Sequence, residues 1–140
     1  MIKEFWINLP VKDLKNAMEF YSKIGFSFNP QHANSGNSAC MLIGEKKSII
    51  MLFEEKTFMG FTNTAIADTK ISNEVLLSID AQSKEEVDAI VQKVLDAGGK
   101  SNHKPQEMKS WMYGCLFTDL DGHRWNVLFM DMTKMQEIHP

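Results

Sequence analysis

The stretch FWINLPVKDLKNAMEFYSKIGF, residues 5–26, holds most of what decides the fold. It opens on alternation, with Ile7, Leu9 and Val11 on one side and Trp6, Asn8 and Pro10 on the other, the period of a strand with one buried face. Asp13 then supplies a helix N-cap. Leu14, Ala17, Met18, Tyr21 and Ile24 follow at helical spacing until Gly25 stops the run. Neither element can bury its apolar side alone, so the helix requires a sheet beneath it.

The same order returns roughly 70 residues later. A strand over Glu74–Asp80 leads to Ser83-Lys84-Glu85-Glu86, a capping-box spacing. Val87, Ile90, Val91, Val94 and Leu95 form an apolar stripe that Gly98-Gly99 closes. Each helix precedes three short strand-like segments. The first set is Ser27–Asn29, Ala39–Ile43 and Ser48–Phe53. The second comprises a short strand near Lys100, then Tyr113–Asp119 and Arg124–Met130. Asn34–Asn37, Gly44–Lys47 and Asp121-Gly122 provide the breakers between them. The pattern predicts an α+β chain of two βαβββ modules, 1–53 and 73–131. Between them lies a bridge, 54–72, in which Phe58, Met59 and Phe61 pack as a turn of helix. A tail, 132–140, completes the chain.

Composition narrows the function classes. The chain has 140 residues, 44% of them apolar, with a net charge of −3, which suits a globular domain that buries a core. Acidic residues outnumber basic ones and Arg124 is the sole arginine, so no basic footprint for nucleic acid is present. The longest apolar run, Ile49–Phe53, is far too short for a spanning helix, and Met1-Ile2-Lys3-Glu4 has no apolar signal region. The expectation is a cytosolic protein. Cys40 and Cys115, at comparable places in the two halves, lack C-x-x-C spacing and are expected to be buried, reduced thiols.

At this level the chain resembles the vicinal oxygen chelate superfamily, which includes glyoxalase I, bleomycin-resistance proteins and extradiol dioxygenases. The residues that carry the likeness are Asn8–Leu14, Phe20-Tyr21, Gly25-Phe26, Glu85–Asp88, Ala97–Gly99, Trp111–Gly114 and Asp119–Trp125. The likeness is greatest to the branch labelled predicted lactoylglutathione lyases. It implies a curved mixed sheet around a central cleft with the helices on the convex side, and a homodimer. It also implies four metal-ligand positions, usually His or Gln, Glu, His and Glu. Here those positions fall on Trp6, Met51, Glu74 and Asn126. Indole is only a hydrogen-bond donor, a thioether prefers soft ions and an amide is a feeble ligand. One carboxylate does not make a catalytic zinc-type site. The expectation is therefore no metal and no cofactor.

Glu74 is the candidate catalytic group, a general base whose rival role is a solvated strand end. Trp6, Asn8, Met51, Phe53, Ser78, Trp111, Tyr113, Arg124 and Asn126 are candidate ligand contacts, against ordinary packing. His123 belongs to the Asp-Gly turn and is expected to be structural; His32, His103 and His139 are expected in solvent. The leading reading is a glyoxalase-like protein that holds a small molecule in the inter-module cleft without a divalent metal, with or without catalysis. The alternatives are a metal-dependent lyase acting on hemithioacetals and a drug-sequestering resistance protein. A fold kept only for protein–protein contact is a third possibility.

Overall fold

The computed structural model describes residues 1–32 and 36–138, without the side chain of His32. The expected breakers Asn34 and Ser35, the placement of the His32 side chain and the whole of His139 lie outside the described residues. Contacts divide the chain between Asp68 and Thr69 into two units.

The first unit runs β1 (Ile7–Val11), α1 (Leu14–Lys23), β2 (Ser27–Phe28), β3 (Ser38–Ile43), β4 (Ser48–Glu54) and α2 (Glu55–Thr62), with a 3-10 turn at Pro30–His32. Its sheet order is β1-β4-β3-β2, with β1 parallel to β4 and the other pairs antiparallel. Asp13 caps α1 by accepting from the Asn16 amide at 2.9 Å. At the other end Gly25, at φ 110°, takes a left-handed conformation that favours glycine, and the Phe26 amide returns to the Tyr21 carbonyl. Leu14, Ala17, Phe20 and Tyr21 are the buried stripe of α1. The sheet meets it with Leu9, Val11, Ala39, Met41, Ile50 and Leu52, all buried. Burying each large apolar side chain contributes about 1.5–3 kcal/mol.

The second unit runs β5 (Leu76–Asp80), α3 (Lys84–Asp96), β6 (Gln106–Lys109), β7 (Met112–Thr118), β8 (Arg124–Met130) and α4 (Met132–Ile138). The sheet order, β5-β8-β7-β6, and the directions of pairing repeat those of the first unit. Ser83 Oγ accepts from the Glu86 amide at 3.1 Å, and Glu86 Oε2 accepts from the Gln82 amide at 2.7 Å. Val87, Val91 and Val94 are buried on α3, opposite Leu77, Cys115, Phe117, Trp125 and Val127.

The α+β class and the paired βαβββ order are as the sequence predicts, but several boundaries are corrected. The strand expected near Lys100 is β6, at Gln106–Lys109; Lys100 itself makes only an isolated bridge to Thr118. All four residues of β6 are exposed and polar or unbranched, so no alternation marked them, and pairing with β7 makes the strand. β1 and β5 begin at Ile7 and Leu76, leaving Trp6 and Glu74 ahead of their strands. The bridge holds a full helix, α2, and the tail holds α4, so each module is followed by a helix. α2 packs against β1 and β4.

Candidate functional site

Each sheet has a face covered by its helix and a far face. In the first unit the register sets Asn8 beside Met51, Met51 beside Cys40, and Pro10 beside Phe53, all on the far face. Trp6, 52% exposed, donates its indole Nε1 to Asn8 Oδ1 at 3.2 Å. That bond satisfies the only polar atom of the indole. Phe61 of α2 meets Phe53 edge-to-face, with ring centroids 5.0 Å apart. The first unit thus brings four of the expected contacts, Trp6, Asn8, Met51 and Phe53, to one apolar and aromatic surface. Phe61 joins them, a residue whose helical neighbours gave no sign of which strand it would meet.

In the second unit Ser78 pairs with Asn126, and Asn126 with Leu116, again on the far face. Glu74 is exposed in the segment that leads into β5. Tyr113 lies elsewhere: it shares the helix-covered side with Cys115 and Phe117, and its hydroxyl donates to Asp88 Oδ1 of α3 at 2.6 Å. That hydrogen bond to a carboxylate, with burial adding to it, pushes its pKa up to about 12. Trp111 sits in the turn between β6 and β7, where Lys109 Nζ stands 5.8 Å from its ring centroid. Arg124 spends its charge on the backbone, donating to the carbonyls of Thr69, Gly122 and Ser72 at 2.8, 3.3 and 3.4 Å. Tyr113 and Trp111 are therefore not brought to the Ser78–Asn126 surface, whereas Arg124, paired with Leu76, shares that face of the sheet with its guanidinium turned to backbone carbonyls.

The Asp-Gly turn explains His123. Asp119, buried, accepts from the amides of Asp121 and His123 at 2.9 Å each, so the turn uses the backbone of His123. His103 is exposed, with Nδ1 2.9 Å from the Lys104 carbonyl. Cys40 and Cys115 are buried free thiols. Burial pushes both thiols up; at Cys115 a hydrogen bond with Ser101 acts in the opposite direction. They occupy comparable places by residue count but lie on opposite faces, Cys40 beside Met51 on the far side and Cys115 beside Val127 under α3.

Three of the four side chains at the expected ligand positions are poor ligands for a divalent metal. Trp6 has its one polar atom in a donated hydrogen bond, Met51 offers a thioether and Asn126 a neutral amide. Among the described residues, no three His, Cys, Asp or Glu side chains are grouped so as to hold an ion.

Two βαβββ units, each with its first strand paired in parallel to its last, define a glyoxalase-type fold. The family model for the Glyoxalase/Bleomycin resistance protein/Dioxygenase superfamily matches residues 5–127, and the chain belongs to that superfamily. A solved Staphylococcus aureus structure, hypothetical protein SA1046, is 35% identical, with 92% of this chain and 94% of that chain covered and a TM-score of 0.81. A lactoylglutathione lyase from Agrobacterium tumefaciens shares the fold at 18% identity, 93% and 95% coverage and a TM-score of 0.64. So does a Listeria monocytogenes fosfomycin resistance protein, FosX, solved as a mutant with Mn(II) and a dihydroxypropylphosphonic acid, at 19% identity, 91% and 90% coverage and a TM-score of 0.65. No curated protein matches the sequence. Among the described residues, no helix is long and apolar enough to cross a membrane.

Proposed function

We propose that this chain binds a small, planar organic molecule without a divalent metal. What supports the reading is the chemistry at the four positions that the family resemblance gives as ligand positions: Trp6, Met51, Glu74 and Asn126. Three of the four have no firm donor for a hard or borderline cation, and Trp6 is already committed to Asn8. The far face of the first unit instead offers what a flat ligand uses: an indole, the Phe53–Phe61 pair and an adaptable thioether. In the second unit, taken by itself, Ser78 and Asn126 offer neutral hydrogen-bonding groups and Glu74 a carboxylate, which suit a cationic ligand better than an anionic one. This agrees with Arg124 being turned to backbone carbonyls. If the bound molecule is also transformed, Glu74 is the group to shuttle its proton, on a carbonyl-bearing substrate.

Thermal unfolding against a panel of planar aromatic cations and α-keto thiol adducts tests the reading. A true ligand at about a hundred times its Kd raises Tm by about 5–10 °C. Trp6→Ala should abolish that shift, and Glu74→Gln should reduce it for cations. Metal analysis after loading with Ni²⁺ or Zn²⁺ and dialysis should find substoichiometric metal. One tightly held divalent ion per chain, lost in Glu74→Ala, would favour a metal-dependent lyase instead.

A further inference from the structure

The residues that lead from the first unit into β5 carry Glu74, and the Asp119–Arg124 turn holds them at two points. Arg124 Nη1 donates to the Thr69 and Ser72 carbonyls, while the Thr69 hydroxyl donates to the Asp121 carbonyl at 2.6 Å. Gly122 makes the approach possible. Its φ is 84°, and a Cβ there would lie 2.3 Å from Thr69 Oγ1, so any side chain would drive Thr69 off the turn. The turn itself is fixed from below. Besides the two amide bonds to the Asp119 carboxylate, the Asp119 amide donates to the His123 carbonyl and the Gly122 amide to the Asp119 carbonyl. A rigid turn thus carries a permanently charged donor to carbonyls more than fifty positions away in the chain.

We propose that Arg124 is a positioning residue: through Thr69 and Ser72 it sets where the segment bearing Glu74 enters the sheet. The use of Glu74 rests on the ligand-binding reading above; the clasp does not. The test needs no ligand, so the two fail separately. Hydrogen exchange in the full chain should show the amides of residues 70–76 exchanging about tenfold faster or more in Arg124→Gln, with α3 and β7 unchanged. Arg124→Lys, which keeps a cationic donor, should restore most of the protection. Thr69→Val should show a smaller local rise. A spin label on Glu74→Cys gives a second readout, since both native thiols are buried. Its spectrum should sharpen when Arg124→Gln is added and return towards the parent with Arg124→Lys. Unchanged exchange at 70–76, a rise spread evenly over the second unit, or a label indifferent to Arg124 would each overturn the proposal.

Discussion

The two units solve one packing problem in opposite ways. In the first, the helix brings the bulk: Phe20 and Tyr21 of α1 are 1% exposed and press on a sheet of aliphatic side chains and Met41. In the second, the helix brings only valines, and Phe117 and Trp125, stacked 6.2 Å apart, rise from the sheet to meet them. A helix–sheet seam must be filled to near-crystalline density, but which layer fills it is free. The same backbone plan therefore tolerates a core turned inside out. The far faces differ too. One is aromatic and thioether-bearing, the other pairs serine with asparagine, which is how two copies of one module come to offer different chemistry.

The core contrast breaks most visibly if the aromatics are removed. Trp125→Ala and Phe20→Ala should each cost about 3–5 kcal/mol, read by urea unfolding, with the first loss of exchange protection in the unit that holds the residue. Adding bulk where the partner layer already supplies it should also destabilise: Val91→Phe is expected to cost about 1–3 kcal/mol, whereas equal stability would mean the second seam has room to spare. The caps test whether the units share their local rules. Asp13→Ala and Ser83→Ala should each lose about 1 kcal/mol. The smallest effect concerns the tie between α3 and β7, which has no tyrosine–carboxylate counterpart among the α1 bonds described. Because Tyr113 titrates higher folded, at about 12, than unfolded, near 10, its contribution is complete below pH ~10 and fades as pH rises through about 12. The stability gap between the wild type and Tyr113→Phe should narrow over that interval, and a gap independent of pH would remove the Asp88 bond as its cause.

Much of this was legible in the chain. The caps at Asp13 and Ser83, the stripes they open and the glycines that close them are local, and both helices lie where those signals fall. Strand alternation sorted Leu9 and Val11 from Asn8, and Trp125 and Val127 from Asn126, because a period of two is a property of the backbone. The exposed polar strand β6 carried no such signal and exists because β7 had an edge to pair. Helix α4 has no buried residues and so no stripe to announce it, and in α2, also without buried residues, Phe58, Met59 and Phe61 announced a turn of helix but not its full length.

The candidate site divides in the same way. The resemblance read from the sequence gives Trp6, Met51, Glu74 and Asn126 as the expected metal-ligand positions, and the indole, thioether and amide among them are poor donors because donor chemistry belongs to the residue type. Only the tertiary structure decided that Tyr113 belongs to the Asp88 tie, that Arg124 serves the Thr69 and Ser72 carbonyls, and that Cys40 and Cys115 face opposite ways. Each of those outcomes depends on partners far apart in the chain or on strand register. Neither is written in a residue's immediate neighbours.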